Sequence, residues 1–384
     1  MGQPAVLRAF VRRLCEHVFV RWDNLKIEAE EGTRLPGYRD PAVVRRFDAP
    51  EALDVRFYEV RSKSVLNRVP EASAMPFRWT INPYRGCTHA CVYCFARPTH
   101  TYLDMDAGRD FEREIVVKVN APEVLRRELG RPSWAGEHVA MGTNTDPYQW
   151  VESKYKLMPG IWAALRDAAN PCSVLTKSPL VLRDLPLLQE IGKVTSISAN
   201  LSVPTLEPKA WRATEPHTPH PKARLEAVAE LNRAGIPTGV LVAPLMPGIN
   251  DDPRQVEAIL EAAADAGATG IGGIALHLRG EVRGVFMEWL RSYRPDLVEH
   301  YEQLYRRGAY APPEERKRLS RLLKAGERAR PMPFSRDPAW RSPNPGGSRA
   351  TTPGTGPNRR PAPGPATGAR DARQPREVAQ TSLF

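Results

Sequence analysis

Three cysteines, Cys87, Cys91 and Cys94, fall within eight residues of the stretch NPYRGCTHACVYCFAR (82–97), in a CxxxCxxC spacing. A thiolate is a soft ligand, and three set so close together converge readily on one inorganic centre. Iron–sulfur clusters are held by such cysteines, and a four-iron cluster normally takes four. Three would leave one iron without a protein ligand. An open metal position is what catalysis uses and what a purely structural site lacks.

Other uses of the triplet fit less well. A structural zinc site wants four nitrogen or sulfur ligands, typically as two separated pairs. The chain has five cysteines and no second pair. His89 and His100 stand nearby but read better as loop residues behind the site than as a fourth ligand. An odd number of clustered cysteines does not make a disulfide framework. Of the other two, Cys15 lies near the start, and Cys172 falls in an apolar strand-like run and reads as a small buried hydrophobe.

The elements that must position these residues follow from periodicity. RWTIN (78–82) reads as a first core strand, broken at Asn82-Pro83, so the cysteines lie on the loop that follows it. Strand-sized apolar runs then alternate with helical patterns. EIVVKVN (114–120), EHVAMG (137–142), CSVLTKS (172–178), VTSISANLS (194–202), TGVLVAPL (238–245) and GIGGIALHL (270–278) are the strand candidates. Residues 121–129, 159–170, 180–192, 220–236 and 253–267 carry the helical period. This alternation predicts a mostly parallel α/β sheet, a partial (β/α)6 barrel. Residues 54–69 alternate in part and read as an edge strand leading into it. The expected organisation is an N-terminal extension (1–74), the barrel core (75–280), a C-terminal helical extension (281–330) and a disordered Pro/Gly/Arg-rich tail (331–384).

In barrels of parallel strands, chemistry is assembled at the C-terminal strand ends. Polar residues recur there. GTNTDPYQ (142–149) offers Asn144 and Asp146, TKS offers Lys177, and SISAN offers Ser198 and Asn200. Glu215 and Arg224 flank the helix of 220–236, and His277 follows the last strand as a substrate-site candidate.

The run from Met75 through Arg97 resembles the radical S-adenosylmethionine (SAM) superfamily, and within it the spore photoproduct lyase-like branch. The signature is CxxxCx-aromatic-C, with Tyr93 as the aromatic. The resemblance covers about residues 21–323. It implies a [4Fe–4S] cluster on Cys87, Cys91 and Cys94, with SAM on the fourth iron and Tyr93 near the adenine. It further implies SAM contacts from Asn144, Asp146, Lys177, Ser198, Asn200 and Arg224. The activity so implied is cleavage of SAM to a 5′-deoxyadenosyl radical that abstracts hydrogen from a substrate, with an electron donor such as flavodoxin or ferredoxin as partner. The branch's namesake uses a cysteine as hydrogen donor, for which only Cys15 and Cys172 remain.

Composition narrows the class. With 41% hydrophobic residues in 384, the chain can bury a large core. No apolar run of roughly 18 residues or more predicts a membrane span. Residues 5–22 are basic and mildly amphipathic, and suit a surface helix better than a transit peptide. A cytoplasmic, reducing compartment suits the free thiols. Net charge is +11, which points to a polyanion. Residues 331–384 hold eight Arg against three Asp or Glu, so nearly half the charge lies in the tail. Nucleic acid therefore stands as one candidate substrate. The competing reading is a non-catalytic zinc- or Fe–S-stabilised nucleic-acid-binding protein.

Overall fold

The computed structural model describes residues 27–33, 42–47, 49, 54–71, 73 and 75–329. Cys15, the basic stretch 5–22 and the tail from 331 lie outside the described residues. The described chain opens with β1 (Ile27–Thr33), β2 (Ala42–Phe47) and β3 (Arg56–Val60), each antiparallel to the next. β4 (Leu66–Arg68) pairs antiparallel with β5 (Trp79–Ile81), and β6 (Tyr84–Arg85) follows at once. Beyond the cysteine loop come α1 (Arg109–Arg113) and β7 (Glu114–Lys118).

β7 runs parallel to β3 and antiparallel to β6, completing a five-stranded sheet in the order β1–β2–β3–β7–β6. Two sequence expectations are corrected here. The run at 114–120 is not a barrel strand, and 54–69 is not one edge strand but is divided between two sheets. Every residue of β7 is buried, so its apolar run has the look of a barrel strand. Which sheet such a strand joins is decided by non-local pairing, which periodicity does not encode.

The rest alternates as the pattern requires. α2 (Ala121–Leu129), β8 (Val139–Met141), α3 (Glu152–Tyr155), α4 (Leu157–Asp167), β9 (Cys172–Thr176), α5 (Leu185–Val194) and β10 (Ile197–Ser202) come first. α6 (Pro208–Thr214), α7 (Pro221–Arg233), β11 (Thr238–Leu245), α8 (Pro253–Asp265) and β12 (Ile271–Ala275) follow. The second sheet runs β12–β11–β10–β9–β8–β5–β4, and its six strands from β5 and β8 to β12 are all parallel. This is the expected α/β partial barrel, open at β12.

Local chemistry sets the helix starts. Proline opens α7 and α8, where the missing N–H costs nothing. Asp252 caps α8 by accepting from the Arg254 and Gln255 N–H groups at 3.0 and 3.1 Å. Gly142, just past β8, has φ +76°, and a Cβ there would lie 1.7 Å from the Leu175 carbonyl oxygen, so only glycine fits.

The main core lies between the sheets and the helices, around Trp162, Phe57, Ile81, Ile161 and Leu201. A second apolar cluster forms where α9 (Val282–Tyr293), α10 (Val298–Leu304) and the chain leading to α11 (Pro313–Ala329) pack against the cysteine loop. It joins Phe286, Leu290, Tyr301 and Tyr305 to Cys91 and Tyr93. The C-terminal helices thus form part of the wall of the site. Among the described residues, no helix is long and apolar enough to cross a membrane.

Candidate active site

The loop after β5 carries the three cysteines over the C-terminal ends of the parallel strands. It is tied down on several sides. The Cys87 N–H donates to Phe111 O at 2.9 Å, and the Val92 N–H donates to Thr214 O at 3.1 Å. Gln149, at the end of the GTNTDPYQ loop, accepts from the Thr88 N–H at 3.0 Å and donates to Gly86 O at 3.1 Å. Arg97 is fully buried and donates to Cys91 O at 2.9 Å and Gly108 O at 2.8 Å, while also pairing with Glu112. The loop's shape is therefore fixed by the protein itself.

Cys87 and Cys91 are buried and Cys94 partly so. Burial pushes the Cys87 thiol up to about 12 and raises Cys91 and Cys94 as well, and Cys91 also feels both other cysteines. Left to themselves these thiols stay protonated at neutral pH; a positively charged centre is what would hold all three as thiolates. Among the described residues, no group of three or more His, Cys, Asp or Glu closes to the spacing that grips a single metal ion. A four-iron cluster does not require that closure, since each thiolate binds a different iron. Among the described residues, the buried polar atoms without a hydrogen-bond partner include Thr88 Oγ1 and Asn144 Oδ1 beside the loops. An all-cysteine donor set with an unmatched acceptor on the neighbouring strand end fits a cluster and a ligand carrying an amino group.

Tyr93, the aromatic of the motif, is buried and donates its hydroxyl to Glu215. Glu215 is the hub of a charged group behind the cysteine loop. It accepts from Arg224 Nη2 at 2.6 Å and lies 3.3 Å from Lys177 Nζ. Burial alone would raise its pKa, but Arg224, Lys177 and the hydrogen bonds outweigh it and hold Glu215 at about 2. Lys177 also donates to Ser202 Oγ at 2.7 Å and lies 5.8 Å from the centre of the Tyr93 ring.

Asp146 ties two strand ends together. It accepts from Thr176 Oγ1 and from the Lys177 N–H, both at 2.7 Å, and from the Tyr148 N–H at 2.9 Å. Its Oδ2 also lies 3.5 Å from His89 Nδ1, whose pKa burial lowers, so His89 stands behind the site as expected.

The structure thus brings Tyr93, Asp146, Lys177 and Arg224 together with the cysteine loop, and refines what each does. Arg224 donates to Glu215, to Thr218 Oγ1 at 2.6 Å, to Ser202 O at 2.8 Å and to Pro219 O at 2.9 Å. Its guanidinium is directed at the protein, as a clamp behind the site. Ser198 and Asn200 do not end their strand. β10 continues to Ser202, and Ser198 pairs with Ser173 near its start, toward the opposite end of the barrel. By the two-residue period Ser202 shares their face and occupies the strand end they were expected to hold. Cys172 is the first residue of β9, and so also lies at the end away from the cysteines. Sequence reasoning missed Ser202, Gln149 and the role of Glu215. The period would have pointed to Ser202, but no local signal marks Glu215.

At the open edge, His277 stacks on Tyr310 with ring centres 5.7 Å apart and faces Phe95, the residue after Cys94, at 6.0 Å. These rings adjoin a cavity of about 280 Å³ lined also by Ile274, Arg316 and Ser320.

Residues 81–271 match the family model of the Radical SAM superfamily. An uncharacterised protein of Mycobacterium tuberculosis is 49% identical over 285 residues, which cover 74% of this chain and 84% of that protein. An uncharacterised protein of Methanocaldococcus jannaschii is 28% identical over 199 residues, covering 51% of this chain and 70% of that protein. Among solved structures, a cysteine-to-serine mutant of spore photoproduct lyase matches with a TM-score of 0.53 at 16% identity, covering 72% of this chain and 80% of that one. Another mutant of that lyase, with bound AdoMet and dinucleoside spore photoproduct, gives 0.53 at 17% identity over 71% and 79% of the two chains.

The parallel half-barrel and its cysteine-bearing first loop define a class of SAM-dependent iron–sulfur proteins. The chain belongs to the radical SAM superfamily, with a fold like that of spore photoproduct lyase. Membership implies SAM cleavage with an iron–sulfur cluster.

Proposed function

We propose that the protein is an enzyme in which Cys87, Cys91 and Cys94 hold a [4Fe–4S] cluster, SAM binds the remaining iron, and nucleic acid supplies the substrate. The observation that carries this reading is the set of three free thiols on the first loop of the half-barrel, two of them buried, beside the unpartnered acceptor Asn144 Oδ1. Cluster and SAM together would supply a 5′-deoxyadenosyl radical for hydrogen abstraction. The chain's own residues do the rest. Asn144 accepts from the amino cation of SAM, and Lys177 offers a positive charge to its carboxylate. Glu215 and Arg224 hold Tyr93 and Lys177 in place. Phe286, Tyr301 and the buried wall around Cys91 and Tyr93 exclude water. An electron donor such as flavodoxin or ferredoxin would feed the site in a cytoplasmic setting.

Three observations favour nucleic acid. Spore photoproduct lyase, whose fold this is, has been solved with a dinucleoside lesion. The chain carries a net charge of +11. The His277–Tyr310 stack offers flat rings at the open edge. Return of hydrogen by Cys172 is not part of this reading, because it sits at the far strand end; Cys15 lies outside the described residues.

The test is anaerobic reconstitution with iron and sulfide, then dithionite reduction with SAM and assay of 5′-deoxyadenosine. Wild type should form it, and Cys91→Ala should lose both the cluster absorbance and the product. Retention of one zinc per chain, with no cluster, would overturn the enzyme reading. Label transfer from a deuterated oligonucleotide into 5′-deoxyadenosine would support the substrate class. Cleavage without transfer would remove nucleic acid while leaving the enzyme class standing.

A further inference from the structure

We propose that Arg85 and Lys118 form a binding site for a phosphate-type oxyanion on the five-stranded sheet, separate from the cysteine site. β6 and β7 pair antiparallel with Arg85 opposite Val116. Residues directly opposite share a face, and Lys118, two residues on, returns to it. Such diagonal neighbours stand roughly 7–8 Å apart, a separation that two long side chains close onto one bridging anion.

Among the described residues neither cation has an ion-pair partner; Glu128 acts on Lys118 only from a distance. Lys118 is only 8% exposed, yet among the described residues its ammonium meets no acceptor, and neither does the half-buried guanidinium of Arg85. The carboxylates within range are committed elsewhere. Glu114, on the same face, is held by Arg56 at 2.6 Å and by the Tyr58 hydroxyl at 2.8 Å. Glu128 accepts from Ser64 Oγ at 2.5 Å and from the Val65 and Leu66 N–H groups, both at 3.0 Å. Burial and the neighbouring Arg85 push the Lys118 pKa down to about 8, against the opposing pull of Glu128.

A third group lies against the same strand. The His100 ring packs on Gly86, where a Cβ would come within 2.9 Å of its Cε1. His100 Nε2 meets Glu114 O at 2.9 Å, while Nδ1 is buried with no partner. A guanidinium fork beside an ammonium point charge suits a doubly charged tetrahedral oxyanion. The partial exposure of Arg85 gives such an anion a path from solvent.

The source is either free phosphate or a phosphodiester of a longer chain, and the test separates them. Full-length protein at fixed ionic strength is titrated calorimetrically with inorganic phosphate and, separately, with a thymidine pentanucleotide. Lys118→Met and Arg85→Met are compared with wild type, and their thermal midpoints in chloride check folding. A Kd for phosphate that rises at least tenfold in both variants supports the site and a free oxyanion. A tenfold loss confined to the pentanucleotide supports the site and a phosphodiester. Equal affinities in wild type and variants, or no binding of either probe to wild type, would overturn the proposal. None of these readouts needs the cluster or SAM, so the outcome is independent of the proposed function.

Discussion

Replacing Glu215 with glutamine should destabilise the protein by about 3 kcal/mol at pH 7. The side chain is fully buried and is engaged by Tyr93, Arg224 and Lys177. Its pKa falls from an ordinary 4.5 to about 2 in the folded protein. At about 1.4 kcal/mol per unit, that difference is worth roughly 3 kcal/mol. The estimate agrees with the general cost of about 3–5 kcal/mol for removing one partner of a buried ion pair. Because the folded pKa is depressed, this stability is fully present above about pH 4.5 and is lost as pH falls through about 2. The assay is thermal unfolding of cluster-free, full-length protein followed by circular dichroism. At roughly 2–4 °C per kcal/mol, Glu215→Gln should lower Tm by roughly 6–12 °C at pH 7. The gap to wild type should narrow toward pH 3. Replacing both charges, Glu215→Leu with Arg224→Met, should recover part of the loss, since the fully buried Arg224 charge goes with its partner and only the more exposed Lys177 is left unpaired. A Tm within about 2 °C of wild type at pH 7, or a gap that does not change with pH, would refute the claim that this ion pair holds the wall of the site together.

Two further outcomes test the site itself. Asn144→Ala should raise the Kd for SAM about tenfold in cluster-loaded protein, measured by equilibrium dialysis, since a hydrogen bond to a charged group is worth about 1.5–3 kcal/mol. Unchanged SAM affinity would mean that the unpartnered Oδ1 serves another purpose. Gly142→Ala should fail to yield folded protein, because its Cβ would sit 1.7 Å from the Leu175 carbonyl oxygen in a left-handed backbone conformation. A soluble variant with wild-type melting would show that β8 and β9 are not so closely apposed.

Much of the molecule was legible before any coordinates. The cysteine spacing is a covalent fact, and a soft-ligand triplet on a loop after a strand already points to a cluster with an open position. The alternation of strand-sized and helix-sized apolar periods is equally local, and it yielded the parallel half-barrel and the C-terminal helices. Where reading by period went astray, the missing information was partner choice. By period the buried run of β7 looks like a barrel strand, yet it pairs with β3 and β6 in the other sheet. Ser198 and Asn200 lie on the right face of β10, but the strand end, and with it the site, belongs to Ser202.

What the sequence determined by itself was therefore the chemistry of the motif and the order of the elements, because both depend on residues a few positions apart. The tertiary structure alone decided the wall behind the motif. Tyr93 meets a carboxylate 122 residues away, that carboxylate meets Arg224, and Gln149 clamps a loop 61 residues before it. Contacts of that separation form only when the whole core has packed. Burial then turns an unremarkable glutamate into the charged hub of the site, a property of its surroundings that no stretch of sequence carries on its own.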